Sequence, residues 1–258
     1  MHLTLVKISG SLLSDKKLLM LFLSELHGYC TNNKSRYIIV HGGGATLSKY
    51  CRKHNIQFSF DEHGNRSTSA SAMQATQRIL AGQLSSDLVH ACLTLQIPAI
   101  GLSASAGAMV LAQVHSGHSG DSHTGTVLSC DPTLPLLLLE QHYVPVINSV
   151  ASDGKARALN INADELASEL AIAARADALI FISDVEGVME EQRLLPSMGR
   201  EKATTLTQSG VIEFGMRVKV LSACKAKESK VEQVCIGNYT KQRDFLELLQ
   251  GRQGTRIE

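Results

Sequence analysis

Apolar runs recur along the chain, and each gives way to a stretch with helical spacing. Residues 3–11, LTLVKISGS, read as a strand that ends in a lysine followed by small residues. Ser14 is the expected cap of the next helix, whose apolar positions Leu18, Leu19, Phe22, Leu23 and Leu26 share one face. The order then repeats. The β-branched run from Ile38 ends in His41 and the glycines Gly42, Gly43 and Gly44, and a helix with Leu47, Tyr50 and Cys51 on one face begins at Ala45. Two strand–turn–helix units in succession predict a parallel sheet. Its strand ends, small residues and helix N-termini fall on one edge, where open α/β sheets bind ligands.

The rest of the chain extends this α/β pattern. Residues 55–68 alternate and turn at His63, Gly64 and Asn65, which predicts a hairpin with Arg66 on its descending arm. Helical patterns cover 69–80 and 84–95, and a short buried strand starts at Pro98. Residues 103–130 are rich in Gly, Ser, Ala and His. The pieces MVLAQV and TGTVLS within them read as small edge strands joined by mobile loops. A helix over 135–143 and a strand from Val144 lead to a turn at Ser152. The next helix turns Leu166, Leu170, Ala171 and Ala174 inward, and ALIFISDV is a fully buried strand ending at Ser183 and Asp184. A second lobe is expected to begin near here. It comprises a short helix around Ala203, the turn SGVIEFGM, a helix bearing Lys219, the strand VEQVCIG, a helix over 243–250 and a closing strand, GTRIE.

Composition narrows the partners more than the fold. A chain of 258 residues suits one large α/β domain or two lobes. With 25 basic and 24 acidic side chains the formal net charge is +1, so neither nucleic acid nor a membrane surface is an expected partner. The cysteines Cys30, Cys51, Cys92, Cys130, Cys224 and Cys235 show no CxxC and no metal-ligand spacing, which fits reduced thiols in a cytoplasmic protein. Met1 leads straight into the first strand, so no leader peptide is expected, and the apolar run 134–139 is too short to span a bilayer.

Several residues invite chemistry. The glycines after Val40 are either a sharp turn or an anion cradle at a helix N-terminus; they match neither GxxxxGK[ST] nor GxGxxG. Lys7 is a solvated strand end unless the small residues Ser9, Gly10 and Ser11 leave room for a ligand. Asn160, Asn162 and Asp164 precede or open a helix that needs only one cap. Arg66 has the planar fork that suits a carboxylate. Lys219 lies among Lys225 and Lys227, with Gly215 and Met216 forming an expected turn just upstream, and Asp184 is either a cap or a nucleotide or metal contact. His115, His118 and His123 with Asp121 lack HxH or HExxH spacing, so no dedicated transition-metal site is expected, and the absence of GxSxG leaves a hydrolase triad unsupported.

Taken together, VKISGS at Val6, VHGGG at Val40, the GNR turn ending at Arg66, LNINADELA at Leu159, ISDVEGV at Ile182, GMRVK ending at Lys219 and the terminal GTRI resemble the amino-acid kinase family over essentially the whole chain. The resemblance is strongest to its members that phosphorylate N-acetyl-L-glutamate. It implies a three-layer α/β/α sandwich around a mainly parallel open sheet, with residues 1–175 forming an acyl-amino-acid-binding and dimerisation lobe and 176–258 an ATP-binding lobe. It implies transfer of the γ-phosphoryl of MgATP to a side-chain carboxylate in arginine biosynthesis, with Mg2+ carried by ATP. By the same resemblance Lys7, Lys219 and Asp164 are catalytic, and Gly43, Gly44, Arg66 and Asn160 bind substrate. Gly10, Ser183, Asp184, Val185, Gly187, Val211, Ile212 and Glu213 are implied to contact nucleotide. A homodimer is implied by the lack of a helical extension before the first strand. Ser9 stands where the family has a glycine. A sister kinase with another acceptor and a catalytically weak ligand-binding homologue share most of these residues; Arg66 and Asn160 are the positions that favour an acylated amino acid.

Overall fold

A computed structural model describes residues 2–61, 64–118 and 121–258, apart from the side chain of Phe214. The first units are β1 (Leu3–Ile8), α1 (Gly10–Ser14), α2 (Lys16–Asn32), β2 (Arg36–His41) and α3 (Gly44–Lys53). The hairpin β3 (Ser59–Phe60) and β4 (Arg66–Ser67) follows, then α4 (Ala70–Thr76), a π-helical stretch (Gln77–Leu84) and α5 (Ser85–Thr94). Next come β5 (Ala99–Ser103), β6 (Val110–Val114), β7 (Gly125–Cys130), α6 (Thr133–Glu140), β8 (Val144–Asn148), β9 (Val150–Ser152) and β10 (Ala158–Asn160). The chain continues through α7 (Ala163–Ala173), β11 (Ala178–Ser183), the small strands β12 (Met189–Glu190), β13 (Arg193–Leu194) and β14 (Ser197–Met198), and α8 (Arg200–Gln208). It closes with α9 (Phe214–Glu228), β15 (Gln233–Asn238), α10 (Asp244–Leu249) and β16 (Thr255–Ile257).

The main sheet has eight strands in the order β14-β16-β15-β11-β1-β2-β8-β5. The strands from β15 to β5 run parallel; β16 is antiparallel to β15, and β14 follows β16. Strand periodicity divides the core into two layers. Leu3, Leu5, Ile38, Val40, Leu179 and Phe181 pack with Leu166 and Leu170 of α7 and Val220 of α9. Val6, Ile8, Ile39, Ile180 and Ile182 face the other way, onto Phe22, Leu23 and Leu26 of α2, Leu88 of α5 and Phe245 of α10. The expected α/β/α sandwich with a mainly parallel sheet is thus the observed one. A separate four-stranded sheet, β10-β9-β6-β7, and the two-stranded β3–β4 ribbon lie outside it.

The boundaries depart from expectation at identifiable residues. The first strand stops at Ile8, because Ser9 turns the chain and its hydroxyl accepts from Leu12 N to cap α1. Asp15, not Ser14, caps α2 by accepting from Leu18 N at 3.0 Å, and the Ser14 hydroxyl donates back to the Gly10 carbonyl. The helical patterns expected over 69–80 and 84–95 are continuous with each other through the π-helical stretch. The strand after Pro98 lies at the sheet edge with Gly101 exposed, rather than being buried. MVLAQV and TGTVLS pair with each other in the small sheet, not along the main one. Gly215 and Met216 belong to the first turn of α9. The hairpin bearing Arg66 is present, while His63, expected in its turn, lies outside the described residues.

Candidate active site

The period-two face of β1 that carries Leu3 and Leu5 also carries Lys7, which stands beside Phe181 on β11 and Val40 on β2. A slip of one residue would send Lys7 to the opposite layer. On that same side α7 begins at Asn162, whose side chain accepts from Asp164 N at 2.8 Å. Asn162 is therefore the cap. Asp164 is left in the first helical turn, where a carboxylate is favoured by the helix dipole. Helix α9 packs on α7, with the Ser168 hydroxyl donating to the Ser222 carbonyl at 2.8 Å. That packing carries Lys219 to the same point.

The three side chains form one buried ionic cluster. Lys7 Nζ lies 2.8 Å from Asp164 Oδ1, and Lys219 Nζ lies 3.0 and 3.1 Å from the two carboxylate oxygens. Lys219 and Asp164 are each 7 % exposed. Burial raises the Asp164 pKa, but the two ammonium groups outweigh it and hold the carboxyl down to about 2. Burial pulls Lys219 down to about 8, with the Asp164 charge opposing and the Lys7 charge adding to the shift. Both Asp164 oxygens face lysines, so this carboxylate organises cations and is poorly suited to hold a metal ion.

Beside the cluster lies a cavity of about 220 Å³ lined by Lys7, Gly10, Gly42, Gly43, Gly44, Phe60, Arg66, Asn160 and Asp164, among others. Gly43 precedes α3, and a Cβ there would stand 2.2 Å from Leu84 Cδ1. Gly44 lines the cavity too, and a Cβ there would meet nothing within 4 Å, so the space beside the start of α3 is open at this position. Arg66, 8 % exposed, donates through Nη2 to the Gly44 carbonyl at 3.1 Å and to Ser48 Oγ at 2.5 Å. Its guanidinium carbon lies 4.3 and 4.7 Å from the rings of Phe58 and Phe60. Its Nη1 has no hydrogen-bond partner among the described residues. Asn160 Nδ2 donates to Thr68 Oγ1 at 3.1 Å, while Thr124 Oγ1 donates to the Arg66 carbonyl. Two cations and one carboxylate line this small cavity, with Lys219 paired to the carboxylate behind it, an arrangement that can hold an anion and offset further negative charge that develops beside it.

The sequence profile of the amino acid kinase family matches residues 2–238. The chain belongs to the amino acid kinase family. Acetylglutamate kinase of Bacillus licheniformis is 31% identical over 220 residues, spanning 84% of each chain. That of Moritella profunda is 31% identical over 254 residues, covering 98% of this chain and 95% of the relative. The crystal structure of smu.665 from Streptococcus mutans UA159 superimposes with a TM-score of 0.83 at 25% identity, covering 99% of this chain and 98% of that one.

In this amino acid kinase the cavity gathers seven of the residues singled out from the sequence, Lys7, Gly10, Gly43, Gly44, Arg66, Asn160 and Asp164, with Lys219 joined through Asp164. The remaining set, Ser183, Asp184, Val185, Gly187, Val211, Ile212 and Glu213, is not among the described residues lining it. Asp184 accepts from the Ser11 hydroxyl at the end of β11, and Val185 and Val211 are exposed. Ile212 is buried in the core, and a Cβ on Gly187 would stand 2.7 Å from Thr255 Oγ1, so neither position offers a side chain to a ligand. Sequence reasoning passed over Ser48, Phe58, Phe60 and Thr68. A signal existed for three of them: Ser48 lies four residues after Gly44 on a helix, and Phe58 and Phe60 are two residues apart at the start of the hairpin that carries Arg66.

Proposed function

We propose that the protein transfers the γ-phosphoryl group of MgATP to the side-chain carboxylate of N-acetyl-L-glutamate, the carboxyl-phosphorylation step of arginine biosynthesis. The observation that carries this reading is the buried Arg66 guanidinium, with Nη1 unpartnered among the described residues, lining the same cavity as Asn160, Lys7 and Asp164. Arg66 would hold the α-carboxylate, and Asn160 the acetamido group. The reacting carboxylate would then extend toward Lys7 and the amides of Gly43 and Gly44. The acetylglutamate kinase names of the relatives support the same acceptor.

Because the acceptor oxygen is already anionic, no general base is needed. The chain's work is to bring two anions together and neutralise charge as the phosphoryl group moves. Lys7 and Lys219 would flank the transferring group, with Asp164 fixing both ammonium positions. Magnesium arrives with the nucleotide as part of the substrate. Residues 1–175 would form the acceptor and dimerisation lobe and 176–258 the nucleotide lobe, with Gly10, Ser183, Asp184, Val185 and Glu213 near the nucleotide; Gly187, Val211 and Ile212 would contribute there through backbone groups. Six cysteines without a disulfide support a reducing, cytoplasmic setting. No helix among the described residues is long and apolar enough to cross a membrane.

The decisive assay traps the acyl phosphate with hydroxylamine in the presence of MgATP. Acyl-hydroxamate should form with N-acetyl-L-glutamate and much less with free glutamate or aspartate. Preferential turnover of another acceptor, such as isopentenyl phosphate, would point to a sister kinase, and nucleotide or amino-acid binding without turnover would mark a ligand-binding homologue.

A further inference from the structure

We propose that Asp61, His115 and His118 form a binding site for a divalent transition metal of the zinc type, outside the phosphoryl-transfer cavity. One potential ligand atom from each residue lies within 4.8 Å of the other two. Two separate segments supply them. Asp61 opens the turn of the β3–β4 hairpin, with its N–H bonded to the Asn65 carbonyl at 2.9 Å. His115 follows β6 directly, and the His118 amide bonds back to the His115 carbonyl at 3.0 Å, a turn that sets the two rings 5.5 Å apart.

The arrangement is more than one ion pair. His118 Nε2 is 3.2 Å from Asp61 Oδ2, and those side chains are 11 % and 21 % exposed, so the carboxylate already faces one imidazole in partly excluded water. A second imidazole at the same point adds nothing to that pair but completes a two-histidine, one-carboxylate donor set, which suits zinc and its neighbours far better than magnesium or calcium. Asn65 N–H donates to Asp61 Oδ1 at 2.8 Å, the kind of outer contact that orients a ligating carboxylate. In a tetrahedral zinc site neighbouring ligand atoms are roughly 3.5 Å apart. Occupancy therefore needs a contraction of about an ångström along the longest edge, within reach of side-chain rotation on two turns. Either nitrogen of His115 would bind by giving up the 3.2 Å hydrogen bond that Gly117 N–H makes to Nδ1. His123 is not a member of the cluster; its Nδ1 is engaged with the Ala158 carbonyl at 2.7 Å. The bound ion would tie the hairpin that carries Phe60 and Arg66 to the end of β6.

The test uses the full-length protein, freed of metal with a chelator and titrated with Co2+ followed by Zn2+. Co2+ should give saturable visible absorption at one equivalent, displaced by Zn2+ and unaffected by millimolar Mg2+. Asp61→Asn, His115→Asn and His118→Asn should each weaken binding at least tenfold, and the exposed His142→Asn should not. Failure of the unaltered protein to bind, or unchanged affinity in all three variants, would overturn the proposal. Histidine-ring NMR of the unaltered protein covers the case of a variant that does not fold. Zn2+ should move the His115 and His118 signals, and a response confined to other histidines would refute the site.

Discussion

The ammonium group of Lys219 sits in an environment that disfavours its charge, yet the proposed chemistry needs it charged. Burial brings its pKa to about 8, close to the working range. The protonated form is the one that offsets phosphoryl charge, so kcat/KM should fall as pH rises through about 8. The limb reports free enzyme; bound nucleotide phosphates would hold the proton and move the kcat limb higher. Lys219→Arg, with a guanidinium that stays charged, should lose activity through altered geometry but shift the alkaline limb of kcat/KM upward; an unmoved limb would assign it to another group. Lys219→Ala removes the charge and should cost about a hundredfold in rate, on the order of 3 kcal/mol by analogy with loss of an oxyanion donor. Asp164 gives a complementary stability prediction. Its folded pKa of about 2 lies below the ordinary carboxylate value, so its contribution is present at neutral pH and is lost as pH falls through roughly 4 to 2. Asp164→Asn leaves two lysines facing each other without their counter-charge. It should destabilise the fold by about 3 kcal/mol and flatten that acid limb in urea melts.

At the level of elements, the β3–β4 hairpin and the start of α3 act as one holder for a guanidinium. Phe58 and Phe60 cover its faces while Ser48 and the Gly44 carbonyl take Nη2. Lysine lacks the planar fork needed to fill that slot. Arg66→Lys should therefore raise KM for the acylated acceptor tenfold or more, about 1.4 kcal/mol, with a smaller change in KM for ATP. Equal rises in both would mean that Arg66 only supports the fold. The elements themselves differ in how readable they were. The helix faces of α2 and α7 and the buried strand β11 follow from periodicity, since each buries an apolar stripe against the sheet. The π-helical stretch 77–84 leaves no such trace, because a change of hydrogen-bond register barely alters which residues point inward. Strands of two or three residues, such as β3, β9 and β14, are too short to show a period at all. Asp15 took the cap expected of Ser14 because both can accept from a helical amide and only the position of the first turn separates them.

Across the whole molecule, one sheet joins the two proposed lobes, for Lys7 on β1 lies directly beside Phe181 on β11. The candidate site was legible to the extent that strand register dictates it. Lys7 shares a face with residues that contact α7 and α9, so the Lys7–Asp164–Lys219 cluster follows once the sheet order is known. What the sequence could not show is which distant loops meet: Asp61 and His118 are 57 positions apart, and no local pattern couples them. The continuity of the sheet also shapes the last prediction. If the two proposed lobes, built on one sheet, bind their ligands separately, the Lys7–Asp164–Lys219 cluster takes Lys7 and Asp164 from the proposed acceptor side and Lys219 from the proposed nucleotide side. Hydrogen exchange should therefore separate the lobes at their edges and couple them at the centre. N-acetyl-L-glutamate alone should protect 41–61 and 64–68, a non-hydrolysable ATP analogue with magnesium should protect 183–189 and 211–216, and either ligand should slow exchange at the start of α7. Protection of 41–61 and 64–68 by the nucleotide analogue alone, with the acceptor lacking effect there, would reverse the assignment of the lobes. In the same samples light scattering should give about twice the 27.8 kDa chain mass if the proposed homodimer forms, and a monomer mass at micromolar concentration would remove the dimerisation role from residues 1–175.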